Sequence, residues 1–349
     1  MDAEEIAVEG WRKVVRFRDR DAGLDAIIAV HDATLGPGCG GCRIRPYKTL
    51  DAALDDVKRL SRGMTFKNAL GGIPFGGGKA VIIADPKTQK TPEMMRAFGR
   101  AVESLEGLYY TAEDSGVTEH DMEIVHSVTR YVAGIREKDV GGNPSPFTAR
   151  GVWRGIEAAA KAKLGRETLD GVSVAILGVG AVGMALAELL HDAGAKLVVA
   201  DINEASVKEA VKRFGATAVS PDDCIAADVD IFSPCALGGS INKDSIGRLK
   251  AKIVAGAANN QLLTPEMDAA LYDRGVLYAP DYVINAAGVI SVGLEILGTW
   301  SEAELNRQID AIGPRLAAIF ERSAQTGRPT GEIADKMALE VIAKGREAA

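Results

Sequence analysis

Cysteine is scarce: four residues in a chain of 349 are too few for a disulfide framework. Cys39-Gly40-Gly41-Cys42 has CxxC spacing, but no second pair or nearby histidine completes a zinc site, and Cys224 and Cys235 lie eleven residues apart without a flanking His. A thiol redox motif would open a helix, whereas Gly36 to Gly41 reads as a loop, so loop cysteines without special chemistry are expected. The four histidines (His31, His120, His126, His191) show no ligand spacing, and no metal is expected. Positive charge is also in deficit. Lys+Arg 41 against Asp+Glu 48 gives −7, and no basic cluster is dense enough to follow a phosphate backbone, which excludes nucleic acid from the expected partners. Proline is held to 13 while glycine reaches 39, so the glycines are placed rather than part of a disordered tract. The first residues lack the basic and apolar regions of a signal peptide. The longest apolar stretch, 172–190, is broken by Ser173, three glycines and Glu188. A soluble, cytoplasmic chain with no membrane partner is expected.

What is present suits an enzyme with two cores. Hydrophobic residues make up 47% and charged residues 26%, and at roughly 100–200 residues per domain the length suggests two domains. Residues 24–31 read as a strand before a glycine-rich turn. Leu50, Ala53, Leu54, Val57, Leu60, Ser61 and Met64 then recur at helical spacing, with Asp51, Asp55, Lys58, Arg59 and Arg62 opposite. Lys67 falls on the same apolar stripe. A glycine-rich loop, 71–78, is expected to lead to Lys79 at the start of a strand, 80–84. A helix near 92–105, a strand near 109–112 and a helix near 119–132 follow, and the loop Gly141-Gly142-Asn143-Pro144-Ser145-Pro146 marks a boundary. From Leu169 strands at 172–177, 196–200, 230–232, 253–255 and 276–278 alternate with helical segments. That is the rhythm of a parallel, doubly wound sheet. The expected fold is α/β in two domains, an α/β domain over 1–147 and a doubly wound, Rossmann-type domain over 148–324. The final helices, about 325–349, are expected to pack back on the first.

Gly178-Val179-Gly180-Ala181-Val182-Gly183 follows an apolar strand and opens a helix. Its glycines permit a tight turn, backbone approach to a pyrophosphate and close helix–strand packing, and the helix N-terminus offers free N–H groups. Asp201 closes the next strand 18 residues past the third glycine, where a carboxylate accepts from ribose hydroxyls and repels a 2′-phosphate. NAD is therefore favoured over NADP; the alternative is a strand-to-helix turn with no nucleotide. Gly78-Lys79 is not a phosphate loop, because Ile73, Ala80 and a following strand stand where Gly, Ser/Thr and a helix are required. Lys79 is then either a surface lysine or a functional one. Lys67 either snorkels from the helix end or pairs with an anion, since a buried unpaired ammonium costs several kcal/mol. Two lysines flanking one loop repel each other's charge, and burial acts in the same direction, which suits proton exchange near neutral pH. Asp114 lies just past an expected strand, either a turn residue or part of a site.

Together these segments resemble the Glu/Leu/Phe/Val dehydrogenase superfamily, in its leucine and phenylalanine dehydrogenase branch. The resemblance rests on ordered blocks from about residue 25 to 300: Leu35-Gly36-Pro37, Gly40-Gly41, Gly63-Met64-Thr65-Phe66-Lys67, Gly76-Gly77-Gly78-Lys79, Ala112-Glu113-Asp114, Asn143-Pro144-Ser145-Pro146, Pro234-Cys235-Ala236-Leu237-Gly238-Gly239, Ala255-Gly256-Ala257-Ala258-Asn259-Asn260 and Pro280-Asp281-Tyr282-Val283-Ile284-Asn285-Ala286. It implies reversible oxidative deamination of an L-amino acid to a 2-oxo acid and ammonia, with NAD as acceptor, in a homo-oligomer. By the same resemblance Lys67 holds the substrate carboxylate, Lys79 activates the attacking water and polarises the carbonyl, and Asp114 exchanges protons with the amine. Gly41, Cys39, Val289 and Val292 line the substrate pocket, with Asn259 near both substrate and nicotinamide. Thr148, Gly178, Gly180, Ala181, Val182, Gly183, Asp201, Ile202, Cys235, Ala236 and Asn285 are implied cofactor contacts. The chain departs from the pattern at Ala287, where a second glycine is usual, and at Cys39 and Cys42. No extra cation stands ready for a distal carboxylate, so an apolar side chain is expected, branched-chain first and phenylalanine second. Two other readings stay open: a dinucleotide-binding sensor without turnover, and a thiol protein dependent on Cys39.

Overall fold

The computed structural model describes residues 1–135 and 144–348. The chain divides into two compact units: Met1–Gly142 with Val289–Glu304 and Ala338–Ala349, and Asn143–Gly288 with Leu305–Met337.

The first unit is built on β1 (Asp2–Glu5), β2 (Lys13–Asp19), β3 (Leu24–Asp32), β4 (Gly38–Cys39), β5 (Cys42–Arg45), α1 (Leu50–Gly71), β6 (Gly76–Ile83), α2 (Pro92–Glu103), β7 (Tyr109–Tyr110) and α3 (Glu119–His126). The sheet runs β1-β2-β3-β6-β4-β7, and β5 also pairs with β6. β3 is antiparallel to β6, while β4 and β5 are parallel to it. Both faces of the sheet are covered. Ile27, Ala29 and Val81 meet Ala53 and Val57 of α1, and Ile28, Val30 and Ile82 meet a core that includes Met95, Phe98, Met122 and Val125. Each fully buried apolar side chain of this size contributes about 1.5–3 kcal/mol.

Local chemistry sets the ends of α1. The Thr49 side chain accepts from the Ala52 amide, and Gly72 takes the left-handed conformation, φ 72, that stops the helix. Its buried face steps Ala53, Val57, Ser61, Thr65, whereas Leu50, expected on the stripe, is exposed.

Three expectations are corrected here. The glycines 76–78 are not loop but the first residues of β6, so Lys79 sits mid-strand. A Cβ at Gly76 would fall 2.0 Å from the Asp32 carbonyl oxygen, at Gly77 2.0 Å from Thr65 Oγ1 and at Gly78 2.6 Å from the Tyr109 ring. The glycines let three neighbours close on a central strand. Cys39 and Cys42 are likewise strand residues, both wholly buried. The helix expected to reach residue 132 ends at His126, because Tyr131 and Ala133 turn back to exchange backbone hydrogen bonds with Thr111 at 3.0 and 2.9 Å. β1 and β2 are additional to the sequence reading; β2 sets Val15 and Phe17 on one face and buried Val14 with the Asp25-paired Arg16 on the other, but β1 is exposed throughout and has no pattern.

The second unit holds α4 (Ser145–Leu164), β8 (Ser173–Leu177), α5 (Ala181–Asp192), β9 (Lys196–Ala200), α6 (Glu204–Phe214), β10 (Thr217–Ala218), α7 (Pro221–Cys224), β11 (Ile231–Pro234), β12 (Ile253–Val254), α8 (Glu266–Asp273), β13 (Leu277–Tyr278) and α9 (Asp281–Ile284). Four helices complete the chain: α10 (Ala287–Ile296), α11 (Glu302–Asp310), α12 (Ile312–Thr326) and α13 (Thr330–Ala348). The sheet order is β10-β9-β8-β11-β12-β13, every pairing parallel. The chain enters at β8 and winds outward both ways, so the order reverses between β8 and β11, where open α/β sheets bind ligands. Gly141, Gly142 and Asn143 of the expected boundary loop lie outside the described residues. Among the described residues no helix is long and apolar enough to cross a membrane.

Candidate active site

In the first unit the sheet centre buries a charge. Lys79 on β6 is 7% exposed, and its Nζ stands 2.7 Å from Asp114 Oδ2. Arg43 on β5 places a guanidinium nitrogen 3.3 Å from the same oxygen. Burial pushes the Asp114 carboxyl up, but the charges of Lys79 and Arg43 outweigh it and hold the group below the usual carboxylate range. A desolvated ammonium is tolerable only with such a partner.

Glycine lets the pair form. A Cβ at Gly41 would lie 2.5 Å from the Glu113 carbonyl oxygen and 2.9 Å from Asp114 Cβ, and one at Gly40 would lie 2.1 Å from the Gly78 carbonyl oxygen. The buried Tyr109 hydroxyl donates to the Gly40 carbonyl at 2.6 Å, and Asn68 of α1 donates to the Cys39 and Gly76 carbonyls at 3.2 and 2.6 Å. Arg43, Tyr109 and Asn68 escaped the sequence reading. Only Asn68, polar on a buried helical face beside Lys67, left a trace there.

Lys67 is half-buried near the end of α1. One turn on, a Cβ at Gly71 would stand 3.8 Å from Val289 of α10, and the Ile73 side chain closes on Gly293. Val289 is buried and Val292 half-buried. Cys39 is enclosed, and burial pushes its thiol up to about 12, with Lys79 pulling down and Glu295 pushing up. Burial likewise pushes Cys42 up. Neither thiol is a ready nucleophile. Thus Lys79, Asp114 and Gly41 are brought into contact, while Lys67, Cys39, Val289 and Val292 belong to the same unit.

The second unit carries the glycine motif. Gly178 has φ 101, and its Cβ would lie 2.7 Å from the Ala236 amide nitrogen; a Cβ at Gly183 would lie 1.9 Å from the Gly178 carbonyl oxygen. Gly180 faces open space and caps α5 with no side chain, leaving amides of the first turn available. Ala181 is exposed and Val182 half-buried on that turn. Asp201, directly after β9, accepts from the Val179 and Asn203 amides, both at 2.8 Å. Ile202 is 95% exposed beside it. Cys235 and Ala236 follow β11, half-buried and exposed, and Thr148 lies half-buried in the first turn of α4. Asn285 is buried, its Nδ2 donating to the Ala257 carbonyl at 3.1 Å and to Asn259 Oδ1 at 2.9 Å. An uncapped helix start, a glycine facing open space and a carboxylate on the adjoining strand end fit a dinucleotide: pyrophosphate on α5, ribose on Asp201.

Family models match stretches of both halves of the chain. The model of the Glu/Leu/Phe/Val dehydrogenase dimerisation domain matches residues 12–131, and that of Glutamate/Leucine/Phenylalanine/Valine dehydrogenase matches 199–346. The chain belongs to the Glu/Leu/Phe/Val dehydrogenase family. This family of NAD(P)-dependent oxidoreductases includes the leucine dehydrogenase of Bacillus subtilis (strain 168), 49% identical over 337 residues, covering 96% of this chain and 92% of that one. The L-tryptophan dehydrogenase of Nostoc punctiforme is 43% identical over 344 residues, 98% of this chain and 96% of its own length. A crystal structure of L-tryptophan dehydrogenase from Nostoc punctiforme, 42% identical, superposes with a TM-score of 0.87, covering 97% of each chain. The family models take in Lys67, Lys79, Asp114, Asp201 and Asn285, while the Gly178–Gly183 motif falls between them and inside the span shared with the full-length relatives.

Proposed function

We propose that this dehydrogenase catalyses the reversible, NAD-dependent oxidative deamination of an apolar L-amino acid, leucine and other branched-chain substrates first, in a cytoplasmic homo-oligomer. The observation that carries the reading is buried Lys79 in contact with half-buried Asp114, 2.7 Å apart at the centre of a sheet whose glycines admit no side chain. A lysine and a carboxylate in contact can pass protons in both directions, which deamination requires twice.

The overall change balances as amino acid, water and NAD⁺ giving 2-oxo acid, ammonium, NADH and one released proton. Bound NAD supplies the acceptor for the hydride that leaves Cα. The remaining work falls to the chain. Lys67 pairs with the substrate α-carboxylate. Asp114 takes a proton from the α-ammonium, so that nitrogen can share its lone pair as the C–H bond breaks. Lys79, having given up its own proton as the one released overall, then takes a proton from the water that adds to the imine carbon and returns it as the C–N bond opens. In the second unit Asp201 takes the ribose hydroxyls, α5 the pyrophosphate, and Thr148 and the Asn259–Asn285 pair the nicotinamide side.

Relatives named for leucine, tryptophan and phenylalanine all align at 43–49% identity, which makes phenylalanine the second candidate. Single methylenes change pocket discrimination by only ~1–3 kcal/mol, so activities on leucine, valine, isoleucine and phenylalanine overlap. The test is NADH formation across a panel of L-amino acids. Leucine is expected to lead in kcat/KM; a tenfold lead for phenylalanine reverses the substrate order, and NADH binding without turnover on any amino acid leaves a sensor.

A further inference from the structure

Arg43 has no part in the chemistry just described, yet its side chain, 18% exposed, touches two carboxylates: Asp114 Oδ2 and Asp56 Oδ2, each at 3.3 Å. Asp56 is itself fixed on α1 by the Tyr47 hydroxyl and by Arg59, each at 2.7 Å. Two cations from adjacent strands therefore converge on one carboxylate oxygen, Lys79 from β6 at 2.7 Å and Arg43 from β5 at 3.3 Å. Lys79 cannot hold that carboxylate in place by itself if it also exchanges protons, since its grip changes with its charge. A guanidinium has no such proton-exchange duty and offers a fixed charge.

We propose that Arg43 is a positioning residue for Asp114: tethered to α1 through Asp56, it keeps that carboxylate ionised and in place beside Lys79 while Lys79 gains and loses its proton. The proposal rests on the roles given above to Lys79 and Asp114. Other groups face Asp114 from the packed strands, the Cys42 thiol of β5 and the Tyr109 hydroxyl of β7, but burial pushes both up and keeps them neutral. The charges that set the ionisation of Asp114 are those of Lys79 and Arg43.

The experiment compares the full-length enzyme with Arg43→Gln and Arg43→Lys, recording kcat and KM for the amino acid against pH, together with NADH affinity. Arg43→Gln is expected to lower kcat by about a hundredfold, the scale of a catalytic group displaced by an ångström, with little change in KM. Its acid limb should move up by about one pH unit, because Asp114 has lost a cation. Arg43→Lys keeps the charge but loses the fork that spans both carboxylates, so its acid limb stays in place while kcat drops partway. NADH affinity stays constant in both. An unmoved acid limb in Arg43→Gln overturns the proposal. Should that variant fail to fold, Arg43→Lys decides: a wild-type kcat there removes the tether. An active Lys79→Ala enzyme would instead refute the underlying site, so the two failures are distinguishable.

Discussion

Replacing Lys79 by alanine removes one member of a pair whose charged atoms stand 2.7 Å apart. Breaking a fully buried ion pair costs about 3–5 kcal/mol, because the survivor keeps a charge it can no longer share. Here the Asp114 side chain is 24% exposed and retains Arg43 at 3.3 Å, so water and the guanidinium recover part of the loss. A net destabilisation of about 2–3 kcal/mol is expected. Its pH dependence follows from the carboxylate. Asp114 is held below its ordinary range in the folded protein, so its stabilisation is present at neutral pH and fades as pH falls through the lowered value. The urea-measured difference between wild type and Lys79→Ala should therefore shrink once pH drops below about 4, the usual range for an aspartate. Turnover should fall by at least the ~10²–10⁴ that a general acid–base group supplies, while NADH binding, read by fluorescence, persists. Near-normal turnover would refute the catalytic role. A stability difference independent of pH would refute the electrostatic account of the pair.

Lys67→Ala should raise KM for the amino acid with a smaller effect on kcat, since a charge-assisted partner of about 1.5–3 kcal/mol is lost; an unchanged KM places the substrate carboxylate elsewhere. Gly41→Ala should cut kcat sharply and lower stability by ~1–3 kcal/mol, because its Cβ would press within 2.9 Å of Asp114 Cβ; a wild-type thermal midpoint and kcat would show that the close approach is not needed. Wild-type enzyme should prefer NAD over NADP in kcat/KM, as the Asp201 carboxylate opposes a 2′-phosphate, and equal values with the two cofactors would remove that role.

The nucleotide half was the more legible in sequence because its signals are local. β8, the glycine turn, α5, β9 and Asp201 follow one another within thirty residues, and Gly183 closes on the Gly178 carbonyl oxygen of the same turn. Lys67 drew notice as a charge on an apolar stripe and Lys79 as the lysine ending a glycine run, which is also local information. The rest of the first site depends on distant pairing. Three successive glycines read as loop because glycine's preferences favour turns; only the neighbours Asp32, Thr65 and Tyr109 make them a strand. Arg43 meets Asp114 across 71 residues, and nothing in the run Cys-Arg-Ile-Arg tells the arginine that reaches inward from the one that faces water. The cysteines looked like loop residues for the same reason: Cys39 lies in β4, two residues long and held by β6 and β7 on either side, and Cys42 opens β5, held by β6.

Asp201 bears on any attempt to re-engineer cofactor choice. Its Oδ2 accepts the amide of Val179, the residue between the first two glycines of the motif, so the carboxylate proposed to discriminate between cofactors is also a brace for the glycine turn. Exchanging it for a neutral residue to admit NADP removes the repulsion and the brace together, leaving the Val179 amide to find another acceptor. Affinity for both cofactors then falls before selectivity improves. An asparagine or serine that still offers an oxygen to that amide, combined with a new cation near the exposed Ile202, is the pairing that separates the two effects. The order of substitutions matters: the cation first, the aspartate second, so that the turn always has something to hold it.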